Sequence, residues 1–207
     1  PEDRIVLVDQ ARCRGYQECL TACPYKKTMF NLETRVSEKC IGCYPKVEQG
    51  LQTQCTTSCI GRLRLTNFLS SPDKIDRRKP ADFLVHIKKI ALPLYPQLGL
   101  EPNVYYVPPI HVPVPYLEQM FGPGVEHAIE VYKGAKDDDD LLGLLLLFGS
   151  TERIIDTFDV KGGVARGYDE EGTEIVAVPL EEPTFVRKFE FATEFKGEPA
   201  TGYRHNT

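Results

Sequence analysis

Residues 13–24 read CRGYQECLTACP and residues 40–59 read CIGCYPKVEQGLQTQCTTSC; together they hold all seven cysteines of the 207-residue chain. The first stretch has the spacing C-x5-C-x3-C-P and the second C-x2-C-x11-C-x3-C. An odd count argues against a closed disulfide framework. Stapling by disulfides is also a device of small domains, whereas this chain is long enough for a core. Short, clustered spacings are those of metal ligands, so Cys13, Cys19, Cys23, Cys40, Cys43, Cys55 and Cys59 are the candidate site residues.

Bacterial ferredoxins use C-x2-C-x2-C-x3-C-P, three cysteines for one cluster and the fourth for its neighbour. Laid on that pattern, Cys13, Cys19, Cys23 and Pro24 fit, and Tyr16 stands where the second cysteine belongs. A phenol is a poor replacement for a soft thiolate at an iron corner. The expected outcome is a [3Fe–4S] cluster with Tyr16 beside the vacant corner. Ligation of a fourth iron by the Tyr16 oxygen is the alternative. The longer spacing of the second group still allows three ligands plus one. Two other readings stand beside these. Structural zinc needs closed sets of four Cys or His; the second group could supply one, the first could not, because the four histidines lie at 86, 111, 127 and 205. Thiol redox chemistry would use Cys40 and Cys43, which have the spacing but no βαβ context.

Charge divides the chain at the same place. Residues 1–66 carry ten Lys/Arg against seven Asp/Glu, and the rest carries fifteen against twenty-three, for an overall net charge of −5. That balance is wrong for a dedicated nucleic-acid binder. A basic lining suits anionic thiolate-ligated clusters, and Lys26, Lys27, Lys39, Lys46, Arg62 and Arg64 lie near the cysteine loops. The longest apolar run, Leu141–Phe148, is eight residues interrupted by Gly143, far short of a membrane span. No catalytic constellation surrounds Ser150, His127 or the acids.

Local patterns predict an α+β chain. RIVLV at 4–8 and Arg62–Leu65 read as strands entering and leaving the cysteine groups, and TMFNLETRVSEK at 28–39 as a hairpin with its turn at Asn31–Thr34. Residues 70–80 read as a linker, Ala81–Ile90 as a helix, and the Pro-rich stretch to residue 115 as extended chain with a strand at Val104–Val107. Short helices are expected at Pro115–Met120 and Gly124–Lys133, and a buried helix over Asp137–Phe148 with acids at its N-terminus. The runs IIDTFDV, GVARGY, TEIVAV and FVRKFEF read as β-hairpins or an extended arm. The expected organisation is residues 1–69 as the C-terminal half of a poly-cluster ferredoxin-like domain, 70–150 as linker, Pro-rich segment and short helices, and 151–207 as the arm. With no obvious second core after residue 91, that region is expected to wrap partners.

The stretches VLVDQARCRGYQECLTACPYKKTMFN, SEKCIGCYPKVEQGLQTQC, CIGRLRL and IALPLYPQLGLEPNVYYVPP resemble the four-cluster iron–sulfur β subunits of the respiratory nitrate reductase group of molybdoenzymes. Its relatives act on nitrite, ethylbenzene, dimethylsulfide, selenate, chlorate and perchlorate; QTQC and YVPPIHVP look most similar to nitrite oxidoreductase β subunits. The resemblance implies four cysteine groups, of which these are similar to the third and fourth. It implies Cys13 and Cys19 on the [3Fe–4S] cluster and Cys23 as lone ligand of an adjacent [4Fe–4S] cluster. It implies Cys40, Cys43 and Cys55 on a second [4Fe–4S] cluster and Cys59 on a third, each completed from a missing N-terminal portion of the same polypeptide. The third group usually carries an aromatic residue, often Trp, at the position of Tyr16. The implied function is electron transfer between a molybdenum bis-pterin catalytic α subunit and a haem-binding γ subunit. The complex would be membrane-associated, with the extracytoplasmic side favoured.

Overall fold

The computed structural model describes residues 5–181. Its first third is loops pinned by short elements: helix α1 (Glu18–Ala22), strands β1 (Thr28–Asn31) and β2 (Val36–Lys39), and one-turn helices α2 (Tyr44–Val47) and α3 (Gln54–Thr57). The hairpin forms as its pattern predicts, with Thr28 opposite Lys39 and Asn31 opposite Val36. Its turn is local chemistry: Asn31 Oδ1 accepts the N–H groups of Glu33 (2.9 Å) and Thr34 (3.2 Å). An Asn side chain closing on its own backbone is a standard turn device. Residues 5–8 and Arg62–Leu65 are irregular, not strands. At Arg62 the cause is visible, because its φ of 48° turns the chain out of the extended region.

The core lies after residue 80. A helical segment starts as α4 (Pro80–Asp82) and continues as a π-helical turn, Phe83–Ile87. Two-residue strands β3 (Leu92–Pro93) and β4 (Tyr105–Tyr106) pair across the Pro-rich stretch. Helices α5 (Val114–Phe121), α6 (Val125–Lys133) and α7 (Asp139–Leu147) follow. Strands β5 (Thr157–Lys161), β6 (Val164–Tyr168) and β7 (Glu174–Pro179) make an antiparallel meander in that order. The FVRKFEF run lies outside the described residues.

Helix α7 shows why these residues fold as they do. Asp138 caps it, its Oδ1 accepting the Leu141 N–H at 3.1 Å, and Asp139 and Asp140 complement the helix dipole. Leu141, Leu144 and Leu147 recur on one face and are fully buried. Each contributes about 1.5–3 kcal/mol by leaving water. The helix can lie against the meander because residue 143 is Gly: a Cβ there would meet Val160 Cγ2 at 2.5 Å and Ala165 Cβ at 3.1 Å. Phe83 and Phe158 pack edge to face at 5.3 Å in the same core. Leu117, Phe121, Val125 and Ile129 form a smaller cluster between α5 and α6. The absence of a second core expected after residue 91 is therefore corrected: the leucine helix, the meander and the π-helical turn bury one another. The apolar runs were too short to suggest it singly, and the sheet supplies the missing face.

The second cysteine group is stitched to this core. Gln52 donates its backbone N–H to Glu152 O (2.8 Å) and its side-chain amide to Thr151 O (3.0 Å) and Arg153 O (3.2 Å). Ile154 N–H returns to Gly50 O at 2.8 Å, and Asn67 Nδ2 reaches Ile155 O at 2.6 Å. Among the described residues no helix is long and apolar enough to cross a membrane.

Candidate metal centre

All seven cysteines are free thiols, each partly or fully exposed. The first loop starts at Asp9, whose Oδ1 accepts the N–H groups of Ala11 and Arg12. The chain then turns through Gly15 and Gln17, both at positive φ. Gly15 is required there, since a Cβ would stand 2.7 Å from Arg35 O. This fold-back brings Cys13 and Cys19 to one residue of β2. Ser37 donates its N–H to Cys13 Sγ at 3.3 Å, and the Cys19 thiol lies 3.3 Å from Ser37 Oγ. Ser37 itself is buried, 3% exposed.

Sulfur-directed donors recur. Gly42 N–H points at Cys40 Sγ (3.3 Å), and Thr53 Oγ1 lies 3.2 Å from Cys55 Sγ. The Ser37 and Gly15 N–H groups hold the Cys13 thiol below its ordinary pKa. The Lys27 N–H does the same for Cys23, helped by the N–H groups of Tyr25 and Lys26 and by the Lys26 ammonium. For Cys55 the Thr53 hydroxyl is the largest cause, with Arg64 adding its charge. Each effect favours the thiolate, which is the ligating form. The donor set therefore fits thiolate-ligated iron: soft sulfurs, backbone N–H groups aimed at them, and cations nearby. Among the described residues no three His, Cys, Asp or Glu side chains converge on a single-ion position.

Tyr16 sits at the tip of the Cys13–Cys19 loop with 81% of its surface exposed. An open cleft of about 430 Å³ beside it is lined by Arg14, Gly15, Gln17, Phe30, Leu32 and Arg35. Of the cations expected near the loops, Lys26 Nζ donates to Leu20 O and Thr21 O, Lys39 Nζ to Val6 O, Lys46 Nζ to Gln54 Oε1, and Arg64 to Cys55 O. They fasten the loops as well as charge them. His127 and Ser150 are engaged with the carbonyls of Lys88 and Leu147.

Ser37, Thr53, Thr56 and Thr66 are site residues that the cysteine pattern does not announce. The only sequence signal is the Thr-rich context of QTQCTT, and Ser37 lies 24 residues from the Cys13 it serves. The module is also bare of apolar core. Among the described residues no apolar side chain before Pro80 is buried, while Val6, Leu7, Met29, Leu32, Ile60 and Leu63 stand exposed.

Residues 1–68 match the family model described as a 4Fe-4S dicluster domain. The chain is 45% identical over 147 residues to the dimethylsulfide dehydrogenase subunit beta of Rhodovulum sulfidophilum, covering 64% of this chain and 44% of that one. It is 44% identical over 151 residues to the chlorate reductase subunit beta of Ideonella dechloratans, covering 65% and 44%. It is 32% identical over 216 aligned positions to the nitrate reductase beta chain of Bacillus subtilis (strain 168), covering 81% and 44%. The chain thus spans less than half the length of each of these relatives. It carries a 4Fe-4S dicluster domain and is a homologue of the β subunits of the dimethylsulfide dehydrogenase, chlorate reductase and nitrate reductase group.

Proposed function

We propose that this chain is an electron-transfer subunit whose seven cysteines share iron–sulfur clusters with cysteines supplied from outside these 207 residues. One observation carries the reading. The sulfurs of Cys13 and Cys19 meet on Ser37 in a module that buries no apolar side chain of its own among the described residues. Such a module leaves its interior to be supplied from outside; clusters and a complementary cysteine segment would fill it.

In this reading Cys13 and Cys19 hold a [3Fe–4S] cluster, and Tyr16 stands at its vacant corner without ligating. Cys23 is the lone ligand of an adjacent [4Fe–4S] cluster, Cys40, Cys43 and Cys55 hold a second, and Cys59 serves a third. The clusters, when bound, supply one-electron carriers. The chain's own contribution is to hold thiolates, aim the N–H groups of Ser37 and Gly42 at them, and place Lys26 and Arg64 where negative charge gathers. The proposed partners are a molybdenum bis-pterin α subunit acting on nitrite or nitrate, which the QTQC and YVPPIHVP stretches favour, and a haem-binding γ subunit. The proposed location is a membrane-associated complex on the extracytoplasmic side.

The test is spectroscopic. The full complex is purified without added metal, its iron, zinc and molybdenum are quantified, and its paramagnetic resonance spectrum is recorded oxidised and reduced. A brown protein with an oxidised three-iron signal and several reduced four-iron signals is expected. A colourless protein with zinc on the cysteines would overturn the proposal and make the chain a zinc-stabilised adaptor.

A further inference from the structure

Thr53 occupies the N-cap of α3, where a threonine ordinarily accepts an N–H from the first turn. Here its side chain makes no capping bond. Its hydroxyl lies instead 3.2 Å from Cys55 Sγ, 3.0 Å from Thr56 Oγ1 and 2.9 Å from Thr66 Oγ1. Thr56 and Thr66 close the triangle at 2.9 Å, and Thr66 Oγ1 also accepts the Thr53 N–H at 3.2 Å. Thr56 is buried, 4% exposed.

Proton bookkeeping gives this triangle a direction. A metal-bound cysteine sulfur carries no proton and can only accept. Thr53 must then spend its single hydroxyl proton on Cys55. Two protons remain, those of Thr56 and Thr66. In only one order does every hydroxyl both donate once and accept once: Thr66 to Thr56, Thr56 to Thr53, and Thr53 to sulfur. The start of the chain is satisfied because Thr66 accepts the Thr53 N–H. Hydroxyls linked head to tail polarise one another, so the last donor is stronger than a lone threonine.

We propose that Thr66, Thr56 and Thr53 form a one-directional hydroxyl relay ending on the Cys55 sulfur, and that it raises the reduction potential of the cluster Cys55 holds. Thr53 is the donor to sulfur; Thr56 and Thr66 are positioning residues acting through it. A hydrogen bond to a ligating sulfur favours the more negative, reduced state, which is one of the protein's levers on cluster potential. The inference rests on Cys55 being a cluster ligand as proposed above.

The experiment is a redox titration of the intact holo-complex followed by paramagnetic resonance. Thr53→Val is expected to shift one [4Fe–4S] couple about tenfold toward the oxidised form, the scale of one charge-assisted hydrogen bond, which is about 59 mV downward for one electron. Thr56→Val should move the same couple in the same direction by less, although it does not touch the sulfur. Thr56→Ser should restore it, and Ser58→Ala, whose hydroxyl donates to Gln54 O, should leave it in place. Thr56→Val with its clusters assembled and its potentials at wild-type values would overturn the relay. Should the valine variants lose the cluster, an electron–nuclear double resonance spectrum of the wild type decides. An exchangeable proton coupled to this cluster, kept in Thr56→Ser and weakened in Thr56→Ala, supports the relay, and its absence refutes it. A wild-type complex lacking iron altogether would instead count against the cluster reading itself.

Discussion

Replacing Gly143 by alanine sets two known effects against each other. Alanine gains about 1 kcal/mol over glycine inside a helix, so propensity alone makes the variant more stable. The structure says otherwise, because the new methyl would stand 2.5 Å from Val160 Cγ2 and 3.1 Å from Ala165 Cβ. Neither neighbour is the free end of a long side chain. Val160 is β-branched and stiff at χ1, and Ala165 has no rotamer to change. Overpacking of this kind costs about 1–3 kcal/mol. The balance is a loss of about 1 kcal/mol, read most directly as hydrogen exchange of the α7 amides in the assembled complex. Exchange there should speed several-fold while the β1–β2 hairpin is unchanged. Adding Val160→Ala to the glycine variant removes the nearest atom, so the double variant should be less destabilised than the sum of its singles, by about 0.5–1 kcal/mol. Slower exchange in Gly143→Ala would show that α7 does not press on the meander at this point and would refute the packing argument.

Leu144→Ala, on the same helix and fully buried, should cost about 2–5 kcal/mol and lower the thermal midpoint of the complex in calorimetry. Asp138 gives a pH dependence. Burial pushes its carboxyl up, but the Lys88 ammonium and the Leu141 N–H outweigh burial and hold it below its ordinary range. A depressed folded-state value means that its stabilisation is full above the unfolded carboxylate pKa and is lost as pH falls through the folded one. Asp138→Asn should therefore lose stability at neutral pH and flatten the acid limb of a denaturation-versus-pH curve; an unchanged limb would remove Asp138 from the account. Tyr16→Cys should let a fourth iron bind beside Cys13 and Cys19, and the oxidised three-iron resonance should fall; an undiminished signal would place the vacant corner elsewhere.

What could be read in the chain beforehand was whatever depends on near neighbours. The β1–β2 hairpin follows from apolar ends around an Asn turn, and α7 from the four acids Asp137–Asp140 ahead of a leucine run. The cysteine spacings pointed to an iron–sulfur domain, and residues 1–68 match a 4Fe-4S dicluster model. What escaped depends on distant pairing. Ser37 meets Cys13 and Cys19 only once the hairpin has folded over the first loop, and Thr66 reaches Thr53 across a loop whose Arg62–Leu65 portion looked like a strand. The common core was invisible for a related reason: the leucines of α7 are buried by a sheet that follows them, through a glycine-permitted close approach at Gly143. The π-helical turn at Phe83–Ile87 has the same apolar periodicity as an ordinary helix and is distinguished only by its hydrogen bonds.

The seam between Gln52 and residues 151–153 carries a consequence for biosynthesis. Its side-chain bonds span 99 and 101 residues of sequence. A ribosome releases Cys40–Cys59 long before it releases the segment those loops lean on, and chains fold from the N-terminus as they emerge. Until synthesis has passed Arg153, the second cysteine group lacks its anchor and exposes thiols on an unsupported loop. Its four thiols are then in no fixed arrangement. The seam thus acts as a checkpoint in time: an ordered second cysteine group waits until residues 151–153 have been made, and a nascent chain arrested before residue 151 should be cut by proteases at Cys40–Cys59 more readily than one carried past Arg153.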